Sequence, residues 1–434
     1  MSSLAQEYRG INRARGKLTY VIPGAGDRFL FYFLLALPVV NAIADSTIYY
    51  FVEADSEGGM HPGIIRGILL LIFIVLFGYK RITKDMSTRL ILIFLGYLII
   101  LTLFSSNIRV SFLSGYVKWF FPLMMFPVGM YFFKTLPQLV ALNKAYVWGA
   151  LIVCLNLGVA QFTEYGISAY VDKSFYTGGA GVGITNQLAC VLLTFPFLIR
   201  QRFSFSIPTR WLIYIVGFFS LVFVIVAMKR AGIISLFAGA LIYLYLTQSK
   251  ARFIRYFIIV CLIFFLVLPT FKAILAERYN ARMEQMENIE NEARYKEFFY
   301  VMREFREGNV SQKLFGREVF NTGQFFGKKY FHTNRMIHGD LSSFLYGSGL
   351  IGLLLYLLVF SLLFMEGRHY RRLLIRHPVY RELFAIYFAV LLSMFLISMS
   401  GSGTIGERCM VFLLLGAIIG LARMKVKAII RNPG

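Results

Sequence analysis

A histidine and an aspartate that could act together lie beside a glycine-rich stretch late in the chain. His338 stands two residues before Asp340, and Gly347, Gly349 and Gly352 follow where an apolar segment begins. A histidine at a boundary between water and membrane can act as a general base, and a nearby carboxylate can orient its ring. The alternative is a surface loop that happens to hold two of the five histidines, followed by glycines that only let helices pack closely.

Two adjacent cations interrupt a long apolar region. Lys229 and Arg230 separate two segments that are each long enough to cross a bilayer. A guanidinium at the start of a helix is suited to two simultaneous contacts with phosphate oxygens. The other interpretation is that both side chains extend to lipid phosphates at the membrane surface. Arg230 is therefore a candidate catalytic cation, and Lys229 is a candidate substrate contact.

Other polar residues in or beside apolar segments have two interpretations each. Lys118 either pairs with a neighbouring charge or contacts substrate. Asn186 either caps the segment that it opens or binds a ligand. Arg294 begins the apolar face of a helix and is either a functional cation or a solvated one. Asp45 and Arg66 are expected to form an ion pair that holds helices together.

Membrane-spanning helices must position these residues. A hydrocarbon core of about 30 Å needs ~20 apolar residues in a helix, and the chain has about 12 such stretches. The sequence therefore predicts an all-α polytopic integral membrane protein. The stretches lie near 29–51, 63–79, 89–105, 110–133, 144–163, 182–199, 210–228, 231–248, 253–271, 344–366, 383–400 and 405–423.

The loops between the stretches alternate between rich and poor in Lys and Arg. The rich loops hold more than half of the 45 Lys and Arg residues and fall on one side if every stretch spans. The positive-inside rule makes that side cytoplasmic, with both termini inside. The net charge of +23 is attributed to this topology and to anionic lipid, so no nucleic-acid partner is expected. The four cysteines lie in four different spans and are predicted to be packing residues: Cys154, Cys190, Cys261 and Cys409.

The predicted spans divide the chain into five regions. Residues 1–28 form a basic cytoplasmic N-terminus, and the first apolar stretch is a retained anchor rather than a signal peptide. The other regions are helices 1–9 at 29–271, an extracytoplasmic loop at 272–343, helices 10–12 at 344–424 and a cytoplasmic tail at 425–434. Within the loop, an amphipathic helix from Met283 to Glu307 is predicted to lie against the membrane domain, because apolar residues recur at helical spacing. These residues are Tyr295, Phe298, Phe299, Met302 and Phe305.

At these residues the chain resembles the O-antigen polymerase and O-antigen ligase superfamily of membrane glycosyltransferases. Members share many spans, a large outside loop near the C-terminal end, and a His-Asn/Ser/Gln-(nine residues)-Gly-x-x-Gly element. His338-Gly339, nine residues and then Gly349-Leu350-Ile351-Gly352 have this spacing, with Gly339 in place of the usual polar residue. Asp340 resembles the His-x-Asp variant of capsule and exopolysaccharide polymerases.

Other landmarks extend the resemblance over roughly residues 150–424. The segment 228–232, Met-Lys-Arg-Ala-Gly, resembles a turn that carries a functional arginine, and 181–189 resembles a Gly-x-x-x-x-Asn-x-Leu-Ala element. Leu314-Phe315-Gly316 resembles a Leu-Phe-Gly motif, although Arg317 follows where relatives continue toward another glycine. Arg294 stands where relatives often place a second arginine.

The resemblance implies a polymerase at the outer face of the cytoplasmic (cell inner) membrane. The enzyme would transfer a glycan from an undecaprenyl-pyrophosphate carrier to a sugar hydroxyl of a second lipid-linked repeat unit and invert the anomeric carbon. His338 would be the base, Asp340 would orient it, and Arg230 and Arg294 would offset charge on the departing pyrophosphate. The candidate substrate-binding residues are Lys229, Lys118, Asn186, Arg317 and Arg335.

The resemblance leaves the acceptor open. An O-antigen ligase would use the same donor but transfer the glycan to lipid A core or another acceptor. From a different class, a lipid-linked oligosaccharide flippase or other transporter also has about 12 spans, although no two-half repeat is visible. No cofactor and no metal are expected. The expected partners are the lipid-linked donor and acceptor and the bilayer, with a chain-length regulator and a flippase as candidate protein partners.

Overall fold

The computed structural model of the protein is all-α in the parts that it describes. These are residues 25–51, 85–108, 111–166, 176–178, 184–200, 205–227, 229–249, 251–255, 257–258, 293–333, 335–400 and 404–431. Extended backbone in these ranges is limited to one isolated bridge between Gly166 and Gly178. The helical class predicted from the sequence is confirmed for the described residues.

Fourteen α-helices are labelled here in chain order. They are α1 Ala25–Phe51, α2 Met86–Leu103, α3 Val117–Phe132, α4 Leu136–Thr163, α5 Ile184–Leu192, α6 Phe195–Arg200, α7 Ile207–Val226, α8 Arg230–Thr247, α9 Ala293–Glu307, α10 Val310–Phe315, α11 Lys328–Phe331, α12 Asp340–Leu374, α13 Pro378–Ser400 and α14 Ile405–Arg431. Two π-helical turns, Ser111–Tyr116 and Gly323–Gly327, lead into α3 and α11.

Eight of the helices in the described ranges are long and apolar enough to cross a membrane: α1, α2, α4, α7, α8, α12, α13 and α14. Helix α3 is shorter, but the π-helical turn before it makes one continuous segment from Ser111 to Phe132. The predicted span near 63–79 and almost all of the one near 253–271 lie outside the described residues. The chain is thus a multi-pass membrane protein, and the total of about 12 spans stays a prediction.

The predicted span 182–199 is not one helix. It is divided into α5 and α6, with a turn at Leu193 and Thr194 between them. Pro196 explains the break, because proline lacks an N–H and disfavours helical geometry in the residue before it. The Thr194 hydroxyl then donates to the Val191 carbonyl oxygen at 2.7 Å. Because of this break, Asn186 lies on the short helix α5.

Helices α3 and α14 pack with their backbones almost in contact. A Cβ built on Gly416 would lie 2.0 Å from the Phe126 carbonyl oxygen, and one on Gly129 would lie 2.4 Å from the Leu413 carbonyl oxygen. Such close approach needs small residues and is common between membrane helices. The two helices run in the same direction, so this packing brings their first turns together. Lys118 and Arg408 lie in those turns.

Ion pairs show which helix ends lie together. At one end, Arg423 of α14 contacts Glu366 of α12 and Asp85, each at 2.5 Å. At the other end, Arg408 of α14 contacts Asp340 of α12 at 2.9 Å. Helices α12 and α14 run parallel, so both begin at the second end. We refer to it as the Asp340 end of the bundle.

The loop before α12 packs against the first part of α12 in a small core. Val301, Phe326, Ile337 and Tyr346 form a buried cluster separate from the main core. The loop is also locked into α12, which breaks at Gly349 with φ of +65°. A Cβ on Gly349 would lie 2.4 Å from the Leu314 carbonyl oxygen, so only glycine fits there. Two motifs noted in the sequence, Leu314–Gly316 and Gly349–Gly352, therefore contact each other.

Candidate active site

The His338 ring is held by a carboxylate from a distant part of the chain. Its Nδ1 lies 2.9 Å from Oε1 of Glu297, and its backbone N–H donates to Oε2 of the same residue at 3.1 Å. Glu297 is buried, whereas the His338 side chain is 39% exposed. Because a carboxylate only accepts hydrogen bonds, the neutral imidazole carries its proton on Nδ1. The Nε2 atom is then the basic nitrogen.

Arg335 keeps Glu297 charged and in place. Arg335 donates from Nε to Oε1 of Glu297 at 2.7 Å, and the Arg335 guanidinium lies over the Phe331 ring at 5.1 Å. Burial alone would raise the pKa of the Glu297 carboxyl, but the hydrogen bonds from His338 and Arg335 outweigh burial and lower that pKa. Glu297 is thus an anionic acceptor at neutral pH. The sequence predicts Arg335 as a substrate contact, and in the structure its side chain holds the carboxylate that bonds His338.

Asp340 does not orient His338, and that prediction is wrong. Asp340 is the first residue of α12 and is turned into the helix bundle, where both of its carboxylate oxygens lie 2.9 Å from Nη2 of Arg408. The Arg408 guanidinium also lies 4.1 Å from the centre of the Trp119 ring. Both charged side chains are buried. The pair links the start of α12 to the starts of α3 and α14.

The structure predicts that Asp340→Ala acts through stability. Removing one partner of a buried ion pair costs about 3–5 kcal/mol, because it leaves the other charge buried without compensation. We expect a lower thermal midpoint in detergent and a lower membrane abundance. The matched control is Arg303→Ala, whose partner Glu307 is equally exposed, since surface pairs contribute only about 0–1 kcal/mol. An Asp340→Ala protein as heat-stable as the Arg303→Ala protein would contradict this assignment.

A cluster of charged residues extends from the Asp340–Arg408 pair toward α8. Lys118 is exposed and interacts electrostatically with Arg408 and Asp340. Buried Glu407 interacts electrostatically with Lys229 and Arg408. Within the described part of the chain, Oε1 of Glu407 has no hydrogen-bond partner, so it can accept one from a bound group. The cluster carries more positive than negative charge.

Arg230 and Asn186 lie beside this cluster. Arg230 is the first residue of α8, directly after Lys229, and is half-buried. A Cβ on Gly232, in the same turn, would lie 3.1 Å from Oδ1 of Asn186. Asn186 is the third residue of α5 and is buried, so it is not the cap of that helix. Its amide faces the first turn of α8 instead.

Arg317 and Arg294 both lie in the predicted loop 272–343. Arg317 lies 2.6 Å from the carboxylate of Glu304, which Lys329 and Tyr330 also contact. This second buried carboxylate holds the loop together two turns along α9 from Glu297, so Arg317 has a structural partner. Arg294 is in the first turn of α9, three residues before Glu297. The predicted Asp45–Arg66 pair involves a residue outside the described ranges, and Asp45 lies against Gly406.

Three residues of the site are not among those predicted from the sequence: Glu297, Glu407 and Arg408. The rule that ionisable residues within spans mark functional sites applies to Glu407 and Arg408, because both lie in the predicted span 405–423. That signal could have found them. No comparable signal exists for Glu297, which is one of several charged residues in the predicted loop 272–343. Cys154, Cys190 and Cys409 are buried, as expected for packing residues, and Cys261 lies outside the described residues.

Because Glu297 holds the candidate base His338, we expect Glu297→Gln to lower the kcat of the glycan transfer predicted from the sequence about 10- to 100-fold, with little change in KM. The matched control is Glu304→Gln, which removes an equally buried carboxylate from the same helix without touching His338. Rates are compared per folded protein, measured by size-exclusion chromatography. Equal rates for the two variants would show that Glu297 only supports the fold.

No protein-family model matches the chain. No curated protein matches it either. Within the described ranges, no group of three or more His, Cys, Asp and Glu residues is arranged to hold a metal ion. Metal independence and the superfamily resemblance therefore stay predictions based on the residues themselves.

Proposed function

We propose that the protein is a membrane glycosyltransferase of the O-antigen polymerase type. It joins undecaprenyl-pyrophosphate-linked repeat units at the outer face of the cytoplasmic membrane. One observation carries this proposal. Glu297 anchors the partly exposed His338 ring just before α12 begins. The charged cluster that contains Lys118 and Lys229 lies at the same end of the bundle. A base for a sugar hydroxyl and cations for a pyrophosphate are the two groups that this reaction requires.

His338 supplies the base in this mechanism. Its Nε2 takes the proton of the acceptor hydroxyl while that oxygen attacks the anomeric carbon of the donor. The bond between the anomeric carbon and the pyrophosphate oxygen breaks, and the electron pair leaves with the pyrophosphate. Attack opposite the leaving group inverts the anomeric carbon. Glu297 stabilises the imidazolium that forms, because its carboxylate already bonds Nδ1.

The cations supply the second requirement. The pyrophosphate carries more negative charge as it leaves, so fixed positive charges nearby lower the barrier. Arg230, at the first residue of α8, can contact two phosphate oxygens. Lys229 is its neighbour in the chain, and Lys118 adds positive charge beside Arg408. The side-chain position of Arg294 lies outside the described residues, and its role as a second phosphate contact is part of the proposal.

The proposal includes a topology with about 12 spans, both termini in the cytoplasm and the Asp340 end outside. We expect single cysteines at Glu57 or in the loop 272–343 to react with a membrane-impermeant reagent in intact cells. Cysteines at Lys84, Arg202 or Arg371 should react only after permeabilisation. If position 371 is labelled in intact cells, the orientation is the reverse of the predicted one, and His338 lies on the wrong side of the membrane for this reaction.

Reconstitution tests the function directly. The protein is placed in liposomes with lipid-linked repeat units, and products are separated as a gel ladder. A polymerase produces a ladder from repeat units alone, whereas a ligase produces a single shift and only when lipid A core is added. Movement of the lipid-linked unit between leaflets without any new glycosidic bond would refute the proposal in favour of a transporter.

A further inference from the structure

Helix α9 turns its aromatic residues away from the protein. Tyr295, Phe298 and Phe299 are 51%, 56% and 58% exposed, respectively. At about 100° per residue they lie on one side of the helix, together with half-buried Met302 and Phe305. Of the helix predicted from Met283 to Glu307, the described part has this spacing, and residues 283–292 lie outside the described ranges. The apolar face is not the face packed against the rest of the chain. An apolar stripe usually faces the core of a protein, so its exposure needs an explanation.

The buried face of the same helix is acidic. Glu297, Val301 and Glu304 are buried and follow one another at helical spacing. The two carboxylates bind His338, Arg335, Arg317 and Lys329 of the same loop. Ion pairs therefore fix which side of α9 faces the protein. The aromatic side cannot turn inward without breaking them.

The charges beside the exposed face favour an anionic partner. Both buried carboxylates are used inside the loop, and Glu307 pairs with Arg303. Lys296 and Arg306 remain as positive charges on the outer part of the helix, and Arg306 is exposed among the aromatic residues. Aromatic residues with nearby cations are typical of helices that lie in the headgroup region of a bilayer.

The position of the helix fits the same partner. Glu297 contacts His338, which lies two residues before the start of the candidate span α12. The first part of α9 is thus beside the end of a candidate membrane helix. With 15 residues, α9 is about 22 Å long, enough to lie along the surface beside the bundle.

We propose that the aromatic face of α9 docks into the phospholipid surface on the side of the membrane where α12 begins. The helix then has two roles on opposite sides. Phe298 and Phe299 anchor it in lipid, and Glu297 holds His338. This inference concerns the membrane contact alone and does not depend on which reaction the protein performs.

Spin labels can measure the contact. Single cysteines at Phe298, Phe299 and Val310 are introduced into a protein without its four native cysteines and labelled with a nitroxide in phosphatidylglycerol-containing nanodiscs. Val310 is the matched control, because it is an exposed apolar residue (74%) of the same loop on α10. We expect labels at 298 and 299 to collide at least several-fold more with oxygen, relative to a water-soluble nickel complex, than the label at 310.

Other outcomes overturn the proposal. Equal oxygen-to-nickel ratios at 298, 299 and 310 would place the face in water. Low collision rates with both reagents would show that protein covers it. Immobilisation of the labels by a lipid-free oligosaccharide, with no preference for oxygen, would make the face a sugar-binding surface instead. Replacing phosphatidylglycerol with phosphatidylcholine should lower the oxygen preference, because Lys296 and Arg306 then lose their anionic partners.

Discussion

We expect His338→Ala to abolish glycan polymerisation while the protein still inserts and folds normally. A positioned general base contributes about 10²- to 10⁴-fold to a rate, and His338 is the candidate base whose ring is anchored by a buried carboxylate. Polymer is followed by gel ladder in a deletion strain that carries each variant at matched membrane abundance. Because the His338 side chain is partly exposed, its loss should leave stability nearly unchanged.

His332→Ala is the matched control for this experiment. His332 lies in the same loop, is exposed and has a φ of +55°, where it ends the short helix α11. No carboxylate among the described residues holds its ring, and we expect the variant to form polymer normally. Full-length polymer from His338→Ala would remove His338 from the mechanism and leave positioning and charge neutralisation as the sources of catalysis.

Arg230→Ala is expected to reduce activity more than ~100-fold at normal expression, because a guanidinium can make two charge-assisted hydrogen bonds to a phosphate group at once. Lys229→Ala should reduce activity less, since an ammonium group acts as a point charge and Glu407 already interacts with it. Activity is measured in liposomes with lipid-linked repeat units, and initial rates are compared at several donor concentrations.

Arg230→Lys separates geometry from charge. A lysine keeps the positive charge but cannot form the planar two-point contact. A rate close to that of Arg230→Ala would support bidentate contact with the leaving group. If Arg230→Lys behaves like the unmodified protein, bidentate contact is wrong and Arg230 is only one of several cations near the α8 start.

The two buried carboxylates of α9 give the loop a defined arrangement. Glu304 gathers Arg317, Lys329 and Tyr330, and Glu297 gathers Arg335 and His338. Hydrogen bonds lower the pKa of both carboxyl groups despite their burial, which by itself raises it. Both groups therefore contribute to stability at neutral pH and lose that contribution as the pH falls through their lowered pKa values. Acidification should release the loop from α9 before it affects the apolar core.

Local features of the sequence were sufficient for most of the described membrane helices. A membrane helix satisfies its own backbone hydrogen bonds, so ~20 consecutive apolar residues are enough to predict one. The described helices Met86–Leu103 and Ile207–Val226 agree with the predicted stretches to within a few residues. The division at Leu193 was also readable in principle, because Pro196 acts on its immediate neighbours.

Which charged residues pair could not be predicted from neighbouring residues in the sequence. Asp340 is two residues from His338, yet Asp340 faces Arg408 inside the bundle, because α12 begins at Asp340 and turns it away from the preceding extended residue. Glu297 is 41 residues away from His338 and reaches it only when α9 lies on the loop.

The sequence by itself determined which segments become apolar helices and which polar residues stand at their ends, since both depend on residues close together in the chain. Only the tertiary structure decided which carboxylate holds His338, and it also decided which side of α9 stays exposed. Those outcomes depend on how distant segments pack. A buried carboxylate must find a cation or hydrogen-bond donor wherever the fold supplies one. For Glu297 and Glu304 the fold supplied them on one side of α9, and the aromatic side was left facing outward.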